Sequence, residues 1–240
     1  MTENTNSKFP SEADVVIVGV GGIVGSMIAY WLSELGQKNI VGLEKSSVIP
    51  SDIASTAHAS DFVYNTTHDK LGCWTTAFSR KFYEDNGFFL KKGGLEICRK
   101  GDDARWEELK RKVGSGKAFG TNVRLISAAE AKEKFPLLDE ESLMGAMWDP
   151  DAGLVIPRSQ DVVSFAVEHA KDKGALKTFT DTPAIDFEVE NDRVTGVHTD
   201  KGFIKADKVV ICSGIWGPLM GKKAGVPVPL MPLEHPLLFF

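Results

Sequence analysis

The stretch that most constrains this chain is Val15–Ser26, which reads VVIVGVGGIVGS. Asp14–Gly19 is a short run of β-branched residues, which is typical of a strand buried on both faces. The pattern that follows predicts a packed helix over Ile23–Leu35, ended by Gly36, and a second strand over Asn39–Leu43. Because two strands joined through a helix lie parallel in one sheet, the stretch predicts a βαβ unit and an α/β fold.

The glycines of this loop fit a dinucleotide-binding fingerprint only in part. That fingerprint, GxGxxG, allows a tight turn, close approach of the backbone to a pyrophosphate, and close packing of helix on strand. One register begins at Gly19 and places Val24 third; the other begins at Val20 and ends at Gly25, so one residue is surplus. Both registers stay open. The helix start favours phosphate binding, and the predicted cofactor-binding residues here are Gly19, Gly21, Gly22, Ile23, Val24 and Gly25.

An acidic residue ends the second predicted strand. Glu44 lies 19 residues beyond Gly25, where a carboxylate accepts hydrogen bonds from both hydroxyls of an adenosine ribose. This interpretation favours FAD or NAD over NADP, because a carboxylate repels the additional phosphate; a plain surface carboxylate is the alternative. Lys45, next in sequence, is included in the predicted site.

The remainder of the chain mixes helices and strands. Strands are predicted over Gly93–Arg99, Met144–Trp148, Phe203–Lys205 and Lys208–Ser213, and helices over Asp103–Val113, Ala128–Phe135 and Ser159 to about Lys173. The turn at Asn191–Asp192 predicts a hairpin between Ala184–Val189 and Arg193–Thr199. The two patterns interleave, which indicates two discontinuous domains.

Several segments together resemble one family. They are the glycine loop, the acidic residue, STAHA at 55–59, GGLE at 93–96, DPDAGLV at 149–155, and VTGV followed by KADKVVICSGIWG. They are similar to the D-amino-acid-oxidase-like flavoproteins, in the branch of dimethylglycine oxidase and of sarcosine and dimethylglycine dehydrogenases. The resemblance runs from about residue 14 over nearly the whole chain.

The resemblance implies a Rossmann-like FAD-binding domain of the glutathione-reductase type, interleaved with part of an antiparallel-sheet substrate domain. The first would comprise residues 14–90 and 150–222, the second 91–149 and 223–240, and residues 1–13 would form a flexible tail. It also implies cofactor contacts at Ser55, Thr56, Ala59, Ala184, Gly214 and Trp216, although Trp216 as an ordinary core residue is the alternative.

Two histidines carry the chemistry that the resemblance implies. His58 matches a histidine bonded covalently to the flavin; an ordinary loop histidine is the alternative. His235 is the candidate catalytic residue near a substrate amine, with a structural histidine as the alternative. The implied reaction is oxidative demethylation of an N-methylated amino acid such as dimethylglycine or sarcosine, with hydride passing from the carbon next to nitrogen to flavin N5.

Composition excludes other classes. A net charge of −5 gives no reason to expect nucleic acid, and no apolar run approaches the roughly 20 residues that cross a bilayer. Cys73, Cys98 and Cys212 have no paired spacing, so we expect neither a metal site nor disulfides. Unpaired cysteines are typical of a reducing compartment, so we expect a cytoplasmic location, or the mitochondrial matrix in a eukaryote.

The apolar end of the sequence, LLFF, leads us to expect a second chain, or a missing C-terminal half, that completes the flavin site. Two other functions therefore stay open. The alternatives are a non-catalytic or incomplete FAD-binding subunit that needs a partner chain, and a flavoprotein oxidase for another class of amine or for D-amino acids.

Overall fold

A computed structural model describes residues 9–234. The described residues form two compact units. One unit contains the described residues up to Ser60 together with those from Ser159 onward, and the other is Asp61–Arg158. The assignment of FAD-binding and substrate roles to segments of the chain stays a prediction.

The first unit is built on a six-stranded sheet in the order β10-β11-β12-β1-β2-β9. Its strands are β1 (Glu12–Val18), β2 (Ile40–Leu43), β9 (Leu176–Phe179), β10 (Ala184–Glu190), β11 (Arg193–Thr199) and β12 (Gly202–Ile211). β12, β1, β2 and β9 are parallel, and β10 and β11 are antiparallel to their neighbours. The helices are α1 (Ile23–Glu34), α5 (Ser159–Asp172) and α6 (Gly217–Lys223). The predicted βαβ unit and α/β class are confirmed.

The central strand of this sheet is buried on both faces, as its β-branched run predicts. Val15 and Ile17 of β1 pack with residues of α1 and α5, including Ala29. Val16 and Val18 point the other way and pack in a second cluster with β10, β11, β12 and α6. Because successive side chains alternate between faces, one strand supplies both cores.

The hairpin is confirmed, and one strand prediction is wrong. Asn191 and Asp192 connect β10 to β11 with φ values of 51° and 61°, which suits a tight two-residue turn. The strands predicted over Phe203–Lys205 and Lys208–Ser213 are one continuous strand, β12. Its first half pairs antiparallel with β11 and its second half parallel with β1, so no turn separates them.

The second unit contains two small sheets and three helices. Their strand orders are β3-β8-β4 and β5-β7-β6. The strands are β3 (Phe62–Val63), β4 (Phe89–Lys91), β5 (Gly94–Arg99), β6 (Arg124–Ile126), β7 (Leu143–Asp149) and β8 (Gly153–Val155), and the helices are α2 (Lys70–Asp85), α3 (Asp103–Ala118) and α4 (Ala128–Lys134). A core around Leu109, Val113 and Met147 joins α3 to β5 and β7.

Among residues 9–234, no helix combines the length and the apolar composition that a bilayer crossing requires.

Candidate functional site

A cavity of about 430 Å³ opens in the first unit, where β1, β2 and β12 end. The carboxyl ends of parallel strands form the edge at which α/β sheets bind ligands. The predicted site residues that line the cavity are Gly19, Gly22, Ile23, Val24, Glu44, Lys45, Ser55, Thr56, Ala184, Gly214 and Trp216.

Two glycines of the loop are required by close backbone contacts. Gly19 has φ +91°, and a Cβ there would lie 2.6 Å from the Cys212 carbonyl oxygen. A Cβ on Gly25 would lie 2.2 Å from the Gly19 carbonyl oxygen. The first turn of α1 therefore packs directly on the end of β1, which is the role of the third glycine in the fingerprint.

This packing selects the register that the sequence leaves open. Val24 is 60% exposed, so it does not occupy the close-packed third position. Gly22 is the residue immediately before α1, and Val20 takes the first position. The buried Val20 side chain fits because Gly42 on β2 has none: a Cβ there would lie 2.9 Å from both Val20 methyl groups. The register is Val20, Gly22, Gly25.

The start of α1 is arranged to receive an anion. Gly22 provides no side-chain cap, and the first turn has no acidic residue. The Ile23 N–H donates to Thr56 Oγ1 at 3.0 Å, across 33 residues of sequence. The Thr56 hydroxyl keeps its own proton to donate, and the remaining amides of the first turn have no partner within the helix. A phosphate is the group that this end favours.

Glu44 is a buried carboxylate at the cavity wall, with 5% of its surface exposed. Its Oε2 accepts the Gly21 N–H at 2.9 Å. Its Oε1 accepts the Ser46 N–H at 2.9 Å and the Ser51 hydroxyl at 3.1 Å. These three donors hold the Glu44 carboxyl group at one position and satisfy it, as a buried polar group requires.

The opposite wall follows β12. Gly214 has φ +52°, and a Cβ there would have no neighbour within 4 Å, so the backbone faces open space. The Lys45 ammonium lies 4.9 Å from the centre of the Trp216 ring, at cation–π distance. Within residues 9–234 the buried Ser213 hydroxyl has no hydrogen-bond partner, and Ser213 lines the cavity.

Comparison with known proteins agrees with this geometry. The family model described as "DAO: FAD dependent oxidoreductase" matches residues 14–240. This chain belongs to that family. It is 29% identical to sarcosine dehydrogenase, mitochondrial, of Homo sapiens over 98% of this chain and 26% of the relative. It is 30% identical to the pyruvate dehydrogenase phosphatase regulatory subunit, mitochondrial, of Mus musculus, over 95% of this chain and 26% of that relative.

A crystal structure of L-proline dehydrogenase from P. horikoshii has a TM-score of 0.80 and 30% identity, over 91% of this chain and 57% of that chain. The chain thus spans about a quarter of the length of these two curated relatives and a little over half of that solved structure. The match covers both compact units.

The residues present fit the FAD that the family implies. The unpartnered Ser213 hydroxyl and the first-turn amides of α1 that follow Ile23 are donors that a pyrophosphate satisfies. The open space at Gly214 admits a cofactor against the backbone. The Glu44 carboxyl group at the cavity wall is of the acceptor type that ribose hydroxyls require.

Some predicted residues do not line the cavity. Gly21 and Gly25 lie behind its wall, where they allow the close contacts described above. His58 ends a 3₁₀ segment, Ser55–His58, and is exposed; neither it nor Ala59 lines the cavity. His235 lies outside the described residues.

Several residues that line the cavity are not among those predicted from the sequence. They are Val18, Leu43, Ser51, Ile53, Ala54, Thr182, Pro183, Cys212, Ser213, Ile215, Leu219, Met220 and Lys223. The end of the KVVICS run, directly before Gly214, was the available sequence signal for Cys212 and Ser213.

Burial raises the pKa of the Cys212 thiol to about 11, so it is a neutral thiol at pH 7. No cluster of metal-ligating side chains occurs in the part of the chain that the structure describes.

Proposed function

We propose that this chain binds FAD through its adenosine diphosphate half and forms part of an enzyme that oxidises N-methylated amino acids such as sarcosine or dimethylglycine. The observation that carries the proposal is the cavity at the ends of β1, β2 and β12, where the start of α1 and the buried Glu44 line the same space. Those two features suit two adjacent parts of an adenosine diphosphate, the phosphates and the ribose.

The chain's own groups hold the cofactor. First-turn amides of α1 and the hydroxyls of Thr56 and Ser213 are donors for the pyrophosphate, and Glu44 is the acceptor for the ribose. When bound, FAD supplies the electron acceptor for oxidation of a carbon–nitrogen bond.

The substrate class rests on the relatives. The similarity to sarcosine dehydrogenase supports an N-methylated amino acid, and the similarity to L-proline dehydrogenase supports a secondary amine as the reacting group. This proposal includes a discontinuous FAD-binding domain and a partial substrate domain. It also includes a second chain or additional segment that completes the flavin site.

A non-catalytic FAD-binding subunit is the second candidate, favoured by the 30% identity to a phosphatase regulatory subunit. To distinguish the two, the purified protein is loaded with FAD and mixed without oxygen with sarcosine, dimethylglycine, L-proline, glycine and D-alanine while the visible flavin absorbance is recorded. Our proposal predicts bleaching by sarcosine or dimethylglycine well above that by glycine or D-alanine. Bound FAD that no amine bleaches supports the non-catalytic subunit, and bleaching by D-alanine alone supports a D-amino-acid oxidase.

We further propose that an imidazole nitrogen of His58 would replace one hydrogen of the flavin 8α-methyl group, a two-electron oxidation whose electrons pass through the flavin ring to the acceptor that reoxidises it, and that His235 is the catalytic residue that acts on the substrate amine. The exposed position of His58 leaves its imidazole accessible for such a bond. Acid precipitation of the FAD-loaded protein is expected to leave flavin on the wild-type chain and on the control His68→Ala, and to release it from His58→Ala. Complete release from the wild-type chain contradicts the covalent bond.

A further inference from the structure

The buried Glu44 carboxylate has little acceptor capacity left for a ligand. A carboxylate has about four lone-pair sites, two on each oxygen. Oε1 already accepts the Ser46 N–H and the Ser51 hydroxyl, and Oε2 accepts the Gly21 N–H. Counting donors among residues 9–234, one site remains, on Oε2, whereas an adenosine ribose presents two hydroxyl donors.

Ser51 is the neighbouring group with free acceptor capacity. Its hydroxyl donates to Glu44, but its oxygen keeps lone pairs that accept. Ser51 is 1% exposed and lines the cavity. Donation to a carboxylate polarises a hydroxyl and makes its oxygen a stronger acceptor.

The position of Ser51 is fixed by the glycine loop. The Ser51 N–H donates to the Gly21 carbonyl at 2.9 Å. A Cβ on Gly21 would lie 2.5 Å from Glu44 Oε2 and 2.8 Å from Ser51 Cβ. Gly21, Glu44 and Ser51 are thus in mutual contact, and the contact has no room for a larger residue at position 21.

We propose that Ser51 is a specificity-determining residue for the nucleotide: it accepts one ribose hydroxyl, while Glu44 Oε2 accepts the other. This inference rests on the proposed binding of FAD in this cavity. A 2′-phosphate in place of the hydroxyl would offer no proton to either acceptor and would meet the Glu44 charge, so the pair selects an unmodified ribose.

The test removes each partner of the new hydrogen bond in turn. Affinities for ADP, 2′-deoxy-ADP and 3′-deoxy-ADP are measured by calorimetry for the wild-type protein, Ser51→Ala and the control Ser47→Ala, which changes an exposed serine of the same loop. In the wild-type protein and in Ser47→Ala, loss of either ribose hydroxyl is expected to weaken binding about 3- to 10-fold. In Ser51→Ala, removal of one of the two ribose hydroxyls is expected to weaken binding by less than about 2-fold.

The outcomes separate the two proposals. If ADP binds, but loss of either ribose hydroxyl weakens binding as much in Ser51→Ala as in the wild-type protein, the proposed role of Ser51 is wrong and the nucleotide site stands. If ADP and FAD fail to bind to the wild-type protein, both proposals are wrong. Ser51→Cys, which keeps the volume but is a poor acceptor, provides the same comparison if Ser51→Ala does not fold.

Discussion

Helices begin differently in the two units. In the second unit α2, α3 and α4 follow Asp69, Asp102 and Ser127, whose side chains each accept an amide of the first turn. In the first unit α1 follows Gly22, which has no side chain, and its first amide is accepted by Thr56 from 33 residues away.

The difference separates a helix start that serves the fold from one that is open to a ligand. A local cap occupies the first-turn amides with the protein's own oxygen atoms and is visible in the sequence. At α1 the cap comes from a residue distant in sequence that also lines the cavity, so a phosphate can reach the same turn.

We expect the greatest change in stability when alanine replaces one of two helical glycines. Gly25→Ala on α1 places a methyl group 2.2 Å from the Gly19 carbonyl oxygen, so we expect the free energy of unfolding to fall by about 3 kcal/mol or more. Gly114→Ala on α3 meets no atom within 4 Å and is expected to raise it by about 0.5–1 kcal/mol. Urea unfolding measures both. Equal stabilities of the two variants would contradict the close packing of α1 on β1.

A smaller change is expected when the distant cap of α1 or the local cap of α4 is removed. Thr56→Val and Ser127→Ala each remove a cap, and each is expected to cost about 1 kcal/mol of stability. Only Thr56→Val is also expected to weaken ADP binding, by about 3- to 10-fold, since only that hydroxyl lines the cavity. Thermal unfolding and calorimetry give the two quantities. An unchanged ADP affinity in Thr56→Val would show that its hydroxyl serves the helix alone.

The smallest effect concerns pH. Glu130 completes the cap of α4 by accepting the Ser127 N–H, and this hydrogen bond lowers the pKa of the Glu130 carboxyl below its ordinary value of 4.5. The stabilisation is therefore present above about pH 4.5 and is lost as the pH falls through the lower folded-state pKa. The start of α1, capped by a hydroxyl, has no such dependence.

Carbon NMR of the Glu130 carboxyl measures this titration, with Ser127→Ala as the matched variant that loses the cap hydroxyl. A Glu130 pKa at or above 4.5 in the wild-type protein would contradict the reciprocal cap at α4.

Local signals explain what the sequence could predict. The β-branched run of β1, Gly36 after α1, and the Asn191–Asp192 turn each specify their own conformation. They predicted the sheet centre, the crossover helix and the hairpin within a few residues. The glycine loop and Glu44 located the cavity for the same reason.

Tertiary contacts explain what it could not. α2 exposes Leu71, Trp74 and Phe78, so its apolar residues do not mark a buried face, and no helix was predicted there. The register of the glycine loop depends on Gly42, a residue of another strand. Ser51 is part of the site only because the loop after β2 folds back onto Glu44.

We propose above that this chain recognises the adenosine diphosphate half of FAD at the start of α1 and at Glu44. Competition among FAD, ADP and FMN for the purified protein tests it most directly, because FMN has the flavin without the adenosine. In the His58→Ala protein, which cannot hold the flavin covalently, we predict that ADP displaces FAD from one site and that FMN at the same concentration does not. Displacement by FMN and not by ADP would contradict the claim.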